Sequence, residues 1–196
     1  MVKISYKIIF FFIIFFYHNV LYSKSLELTP FNQKNTSNYF SALVALNNNN
    51  SSDSIKFFNY SKSLKESHEL YLKKYLFSLV LNEKVSTAIK EVKVVKNKNF
   101  TNFFEAQLLI ALDSIKRQDY KSAALHINKM KEFKQEGNFE LIISKILEDY
   151  NYLFINNKID KDFKKEFGNL SIINRAFQSC FLGNQNTEII FKQVVN

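Results

Sequence analysis

The stretch RQDYKSAALHINKM, Arg117 to Met130, decides the fold because related stretches occur twice earlier in the chain. NNNNSSDSIKFF at 47–58 and NEKVSTAIKEV at 82–92 align with KRQDYKSAALHI at 116–127. In each stretch a polar turn precedes a small residue, and an apolar residue follows four positions later. The small residues, which are 34 and 35 positions apart, are Ser54, Ala88 and Ala123, and the apolar residues are Phe58, Val92 and Ile127.

An apolar segment with helical spacing precedes each turn, and these segments are YFSALVAL at 39–46, YLFSLVL at 75–81 and AQLLIALDSI at 106–115. Within them, Ala42, Leu76 and Ala111 repeat the same two steps. A small residue where two antiparallel helices cross lets their axes approach to about 8–10 Å. The repeating unit is therefore a helix pair, and such pairs must stack because one pair cannot cover its own apolar faces.

The composition agrees with an all-α fold. The chain of 196 residues contains 3 Gly and 1 Pro, whereas β-sandwiches, barrels and hairpins need many turn residues. Hydrophobic residues form 46% of the chain and charged residues 23%, which is typical of a globular protein rather than a disordered one.

With a helix–turn–helix unit of about 34 residues, the sequence resembles the tetratricopeptide repeat family from Ser37 to Phe133. The nine repeat-packing residues named above and the pair Asp119-Tyr120 carry the resemblance. It implies stacked antiparallel helix pairs that form a right-handed, TPR-like solenoid. The chain departs from the family pattern because no proline closes a repeat and Leu76 is large. Asn38, Leu72 and Gln107 stand where the family has an aromatic residue.

The N-terminus is typical of a secretory signal peptide. Lys3 and Lys7 precede an apolar run at 8–17, and Ser23 or Ser25 is a small residue suited to cleavage. The run of about ten residues is shorter than the roughly 20 that span a bilayer. We expect an exported bacterial protein, most simply periplasmic; an uncleaved anchor is the alternative.

The remaining chain divides by pattern. We predict a signal peptide at 1–25, an extended segment at 26–36, about three TPR-like helix pairs at 37–135 and further, less regular helical pairs at 136–196. Periodic apolar residues predict downstream helices at 139–155, 170–182 and 187–195. Gly137, Gly168 and Gly183 fall between these segments, where helices end.

The sequence contains no motif for catalysis or cofactor binding. His68 and His126 are the histidines after the signal segment, and no Cys/His cluster accompanies them, so we expect no metal site. Cys180 lies in the apolar string AFQSCFLG and is expected to be buried as a small hydrophobe. A glycine-rich phosphate loop and a nucleophile elbow are absent, so we expect no enzyme, no catalytic residue and no cofactor.

The family resemblance implies a concave groove lined by the first helix of each pair. By matching positions, the groove residues are Tyr39, Leu43, Leu46, Asn47, Leu70, Lys73, Phe77, Val80, Leu81, Glu105, Leu108, Leu112, Ile115 and Lys116. Some family members grip a peptide carboxylate with asparagines, but Leu43, Phe77 and Leu112 replace them here. An apolar groove suits an amphipathic helix or an extended apolar segment. Alternatively, some of these residues belong to the core or are covered by 26–35.

The net charge of +9 leaves two kinds of partner open. The lysines are scattered, with no run longer than the pairs Lys73-Lys74 and Lys164-Lys165, which does not favour nucleic acid. We therefore expect a protein or peptide partner. The alternative is a basic surface that contacts anionic lipid or cell-wall polymer.

Overall fold

The fold was analysed in a computed structural model, which describes residues 33–133, 138–160 and 167–195. These residues form helices and turns and contain no strand, so the all-α prediction is confirmed. The helices are α1 (Gln33–Asn47), α2 (Ser51–Tyr60), α3 (Glu69–Leu81), α4 (Val85–Val94), α5 (Phe104–Lys116), α6 (Tyr120–Met130), α7 (Asn138–Asn156), α8 (Asn169–Phe181) and α9 (Thr187–Val195). The signal-peptide prediction for 1–25 lies outside the described residues.

The helices pack as hairpins of chain neighbours: α1 with α2, α3 with α4, α5 with α6, and α8 with α9. Short 3-10 helices at Lys62–Glu66 and Lys98–Thr101 connect the first three hairpins. Helix α1 also contacts α3, and α3 contacts α5, so the first helices of successive hairpins are neighbours in space.

The same turn closes each of the first three hairpins. Asn49, Glu83 and Gln118 have φ values of 57°, 58° and 60°, and they are separated by the steps of the sequence repeat. The amide of the next residue donates to the carbonyl five positions back, in the bonds Asn50 to Ala45 (2.9 Å), Lys84 to Leu79 (2.8 Å) and Asp119 to Ser114 (2.9 Å). This pattern is the Schellman closure of a helix. The repeat read from the sequence is therefore also a repeat of backbone geometry.

The turn explains why a small residue follows it at a fixed distance. The amides of Ser54, Ala88 and Ala123 make the first hydrogen bonds of the second helices, each at 3.0 Å. At this point the second helix has just left a short turn, and the small residue faces the core beside the first helix. All nine repeat-packing residues are buried: Ala42, Ser54, Phe58, Leu76, Ala88, Val92, Ala111, Ala123 and Ile127.

Ser54 satisfies its hydroxyl inside the core. Its Oγ donates to the carbonyl of Ala42 at 3.0 Å and lies 2.8 Å from the Oγ of Ser78. Ser78 Oγ in turn donates to the carbonyl of Lys74 at 3.0 Å. These bonds link α1, α2 and α3, and they remove the penalty of burying two hydroxyl groups.

Aromatic rings and one buried ion pair complete the first core. The Tyr71 ring lies edge-on to the Phe58 ring, with 5.3 Å between the ring centroids. The Tyr71 hydroxyl donates to the backbone carbonyl of Phe58. Lys65 Nζ lies 2.6 Å from Glu91 Oε2, and Lys62 Nζ lies 3.1 Å from Glu91 Oε1. Burial opposes ionisation of Glu91, but the hydrogen bonds and charges of the two lysines outweigh it and hold its pKa below the ordinary value.

Three local expectations require correction. Helix α1 begins at Gln33, so residues 33–36 are helical rather than extended. Cys180 is exposed, because Gln178 and Ser179 take the buried positions beside it on α8. Gly168, with φ of 56°, is the N-cap residue of α8, whereas Gly183 closes α8 at φ of 68°. Gly137 lies outside the described residues.

Candidate binding groove

A groove of about 460 Å³ lies between α3 and α5, the first helices of the second and third hairpins. Its lining residues are Lys73, Lys74, Leu76, Phe77, Val80, Val85, Glu105, Leu108, Leu109 and Leu112. Leu76 and Leu109 are buried and form the floor. Phe77 is 53% exposed and Leu112 is 44% exposed. The site is therefore an open apolar channel.

The apolar surface follows from the composition of α3, ELYLKKYLFSLVL, which is apolar on more than one face. Five residues of the helix are buried in the core: Tyr71, Leu72, Tyr75, Leu76 and Leu79. The other large residues of the helix have no core left to enter, so Phe77 and Val80 face the groove. Helices that are apolar all round normally have both faces covered.

Charged groups stand at the rim of the groove. Lys73 Nζ pairs with Glu105 Oε1 at 3.2 Å and lies 5.9 Å from the centroid of the Phe103 ring. Glu105 Oε2 is buried without a hydrogen-bond partner. The Lys74 ammonium makes no ion pair or hydrogen bond with any described residue, so one cation at the rim is uncommitted.

A second depression, of about 430 Å³, adjoins the groove and shares Val85 and Leu112 with it. Lys90 and Lys116 line this depression and are exposed, and neither side chain pairs with a described residue. The third lysine there, Lys93, is held by Asp113. The channel itself is thus mainly apolar, and the depression next to it is basic because of Lys90 and Lys116.

Asp113 is the acidic group of that depression, and it is fully engaged. The hydrogen bond from Lys93 and the charges of Lys93 and Arg117 hold the pKa of its carboxyl below the ordinary value. Arg117 Nε lies 3.0 Å from the Asp113 Oδ2 atom that also accepts from Lys93. Asp113 therefore engages both cations and offsets one of their two charges, while Lys90 and Lys116 have no ion-pair partner among the described residues.

The structure brings together only part of the predicted groove. The predicted residues that line the main channel are Lys73, Phe77, Val80, Glu105, Leu108 and Leu112, and Lys116 lines the adjoining depression. Leu70 and Leu81 are exposed on α3 but lie outside the channel lining, and Ile115 packs against the core between α5 and α6.

Helix α1 contributes nothing to the channel, contrary to expectation. Tyr39 and Leu46 are buried in the core, Leu43 packs against it, and Asn47 is exposed outside the lining. The Tyr39 ring lies 6.1 Å from that of Phe58, which shows why: the first hairpin uses these positions to close its own core.

Lys74, Val85 and Leu109 are lining residues that the sequence reasoning missed, and Leu76 was assigned only a packing role. Lys74 could have been predicted because it is next to Lys73. Val85 could have been predicted because it is the first residue of α4. Leu76 and Leu109 could not, because a floor residue has the same pattern as a core residue.

The described residues hold no cluster of three or more His, Cys, Asp or Glu side chains that could bind a metal ion. His126 Nδ1 lies 2.8 Å from Gln107 Oε1, and His68 lies against Tyr39 at 4.6 Å between ring centroids. Each histidine therefore packs locally, apart from the other. None of the described helices combines the length and the apolar character needed to cross a membrane.

Comparison of the chain with protein-family models, with curated protein sequences and with solved structures finds no match in any of the three.

Proposed function

We propose that the chain is a non-enzymatic scaffold that binds a protein or peptide through the apolar channel between α3 and α5. The carrying observation is the exposure of Phe77, Val80 and Leu112 along one channel. Large contiguous apolar surface is uncommon on soluble proteins unless it meets a partner. We also propose that the hairpins continue in the right-handed superhelix of tetratricopeptide repeats.

The charges define the chemistry of the partner. The uncommitted cations of Lys74, Lys90 and Lys116 stand beside the channel and its adjoining depression. An apolar segment that carries Asp or Glu next to its anchor residues would satisfy both features, since complementary charges set orientation and exclude wrong partners. We therefore propose an apolar, acidic-flanked segment, presented as a helix or an extended strand.

A displayed peptide library tests this proposal. We expect selection to enrich apolar segments flanked by Asp or Glu, and we expect Phe77→Asp and Leu112→Asp each to weaken an enriched peptide at least about tenfold, because burial of such a side chain contributes about 1.5–3 kcal/mol. Leu70→Asp is the matched control, since Leu70 is 51% exposed on the same helix but outside the channel. Equal binding by all four proteins would reject the channel as the site.

We propose export to the bacterial cell envelope on the strength of the N-terminal pattern alone. The test is the intact mass of the protein recovered from the periplasmic fraction of a bacterial host. We expect a chain that lacks the N-terminal segment up to Ser23 or Ser25. An uncut chain in the membrane fraction would favour the anchor alternative.

A second candidate is a basic surface that contacts anionic lipid or cell-wall polymer, favoured by the exposed and unpaired Lys74, Lys90 and Lys116. Salt separates the two candidates. Affinity for a polyanionic surface should fall steeply between about 50 and about 200 mM salt, whereas binding in an apolar channel should change little.

A further inference from the structure

A pocket of about 550 Å³, with both polar and apolar lining residues, lies where the second and third hairpins meet, apart from the apolar channel. It is bounded by the end of α4, the 3-10 helix Lys98–Thr101, α5 and α6. The lining residues are Val92, Lys93, Lys98, Asn99, Thr101, Asn102, Gln107, Ile110, Leu125, His126 and Lys129. Three of them are lysines and none is acidic, so the pocket presents a local positive potential.

Two of the three lysines are already engaged. Lys93 pairs with Asp113, and Lys98 donates to the Val95 carbonyl at 2.9 Å. The Lys129 ammonium has no hydrogen-bond or ion-pair partner among the described residues. Lys129 is therefore a cation available to a ligand.

Hydrogen bonds fix the tautomer of His126. The side-chain amide of Gln107, which is 6% exposed, donates through Nε2 to the Thr101 carbonyl at 2.9 Å, so its Oε1 is the acceptor. His126 Nδ1, 2.8 Å away, must then carry the proton and donate it. The remaining ring nitrogen, Nε2, is free to bind a ligand and donates when the ring is protonated.

The surroundings of His126 disfavour its charged form. Burial and the positive charge of Lys129 lower its pKa from the ordinary value. The other charged groups of the pocket are Lys93 on α4 and Lys98, while α5 contributes the neutral Gln107 and α7 contributes nothing to the lining. A bound anion would remove this repulsion, so binding and protonation of His126 must favour each other.

We propose that this pocket binds a tetrahedral oxyanion of the phosphate class, with Lys129, His126 and the side-chain amides of Asn99 and Asn102 as its donors. The two asparagine side chains line the pocket and make no hydrogen bond within the described part of the chain. Donors that come from both α6 and the 3-10 helix Lys98–Thr101 with its following residue suit an oxyanion with several acceptor atoms better than a single flat carboxylate.

Calorimetric titration with inorganic phosphate at constant ionic strength, balanced with sodium chloride, tests the site. Saturable binding is expected, and Lys129→Gln should weaken it about tenfold, the effect of losing one hydrogen bond to a charged group. Lys121→Gln is the control, because Lys121 is exposed on the same helix outside the pocket. An equal loss in both variants, or no saturable binding either of inorganic phosphate or of vesicles that contain phosphatidic acid, would overturn the proposal.

Sulfate is the probe for the histidine, because it keeps its charge across the range in which phosphate titrates. Sulfate affinity should rise as pH is lowered from about 8 to about 5, as His126 gains its proton. His126→Gln should flatten that rise without abolishing binding, since Lys129 remains. A pH dependence unchanged in His126→Gln would remove His126 from the site.

Vesicles of phosphatidylcholine with and without phosphatidic acid distinguish a free ion from a lipid headgroup of the same chemistry. Binding of inorganic phosphate that is sensitive to Lys129→Gln supports a soluble ligand. Binding that appears only with phosphatidic acid and is lost in Lys129→Gln supports the same site with a lipid source. Neither outcome depends on the apolar channel.

Discussion

At the scale of single residues, two buried polar groups of the core, Ser54 and Glu91, are stabilised by partners from other elements. Ser54 joins α1 to α3 through Ala42 and Ser78. Glu91 of α4 joins two lysines of the 3-10 helix Lys62–Glu66. Because an unpaired buried polar group costs about 1–3 kcal/mol, these pairs select one packing of the hairpins over others.

The ion pairs of Glu91 with Lys62 and Lys65 make the stability of the fold depend on pH. The pKa of Glu91 is lower in the folded protein than the ordinary value of about 4.3, so its contribution is present above that pH and is lost as pH falls through the folded value. Glu91→Gln should therefore flatten the loss of stability on acidification, measured by urea unfolding between about pH 6 and about pH 3. Glu83→Gln, at an exposed site, should leave the acid dependence as in the unmodified chain.

At the scale of elements, the small residues at the helix crossings limit how the hairpins can change. Ala123 is fully buried against the core between α5 and α6, whereas its neighbour Ala124 is only partly buried. Ala123→Leu should lower the free energy of unfolding by about 1–3 kcal/mol, because three extra carbons force the helices apart. Ala124→Leu should change it by less than about 0.5 kcal/mol. Urea unfolding measures both, and equal effects would contradict the crossing geometry.

The repeated turns contain backbone strain that a substitution to glycine can remove. Glu83 and Gln118 adopt left-handed backbone conformations, with φ near 60°, that favour glycine. Glu83→Gly and Gln118→Gly should each raise the free energy of unfolding by about 1 kcal/mol, because the strain of the side chain is removed. Asn49→Gly should raise the free energy of unfolding by a smaller amount, since asparagine tolerates this conformation. Lys116→Gly, at the last residue of α5, should not raise the free energy of unfolding, because that residue is helical and has no left-handed strain to remove.

The sequence predicted the elements better than the faces they present. The spacing of small and apolar residues located the six helices of the three hairpins between 37 and 133, and it located the helices downstream. The pattern could not tell that Tyr39 and Leu46 pack inward while Phe77 and Leu112 remain outside. Apolar residues at both sets of positions have the same period, and only the partner helices decide which stripe is covered.

At the scale of the whole molecule, the second and third hairpins carry both candidate sites, and the C-terminal region differs from them. Helix α8 buries Ser171, Gln178 and Ser179 while it exposes Phe177 and Phe181. The assumption that apolar residues are the buried ones is therefore wrong for α8. The prediction that Cys180 is buried was wrong for the same reason. The repeat made the first three hairpins predictable because each position could be compared with two others.

A channel kept for binding should be dispensable for folding, and adjacent residues of α3 and α5 allow that comparison. Phe77 and Leu112 are about half exposed, whereas Leu76 and Leu109 beneath them are buried. The double variant Phe77→Asp/Leu112→Asp should keep the free energy of unfolding within about 1 kcal/mol, because surface substitutions have small effects. Leu76→Asp alone should lower it by more than about 4 kcal/mol, since it places an unpaired charge in the core. Thermal and urea unfolding would measure the contrast, and a collapse of the double variant would mean that these side chains serve the fold rather than a partner.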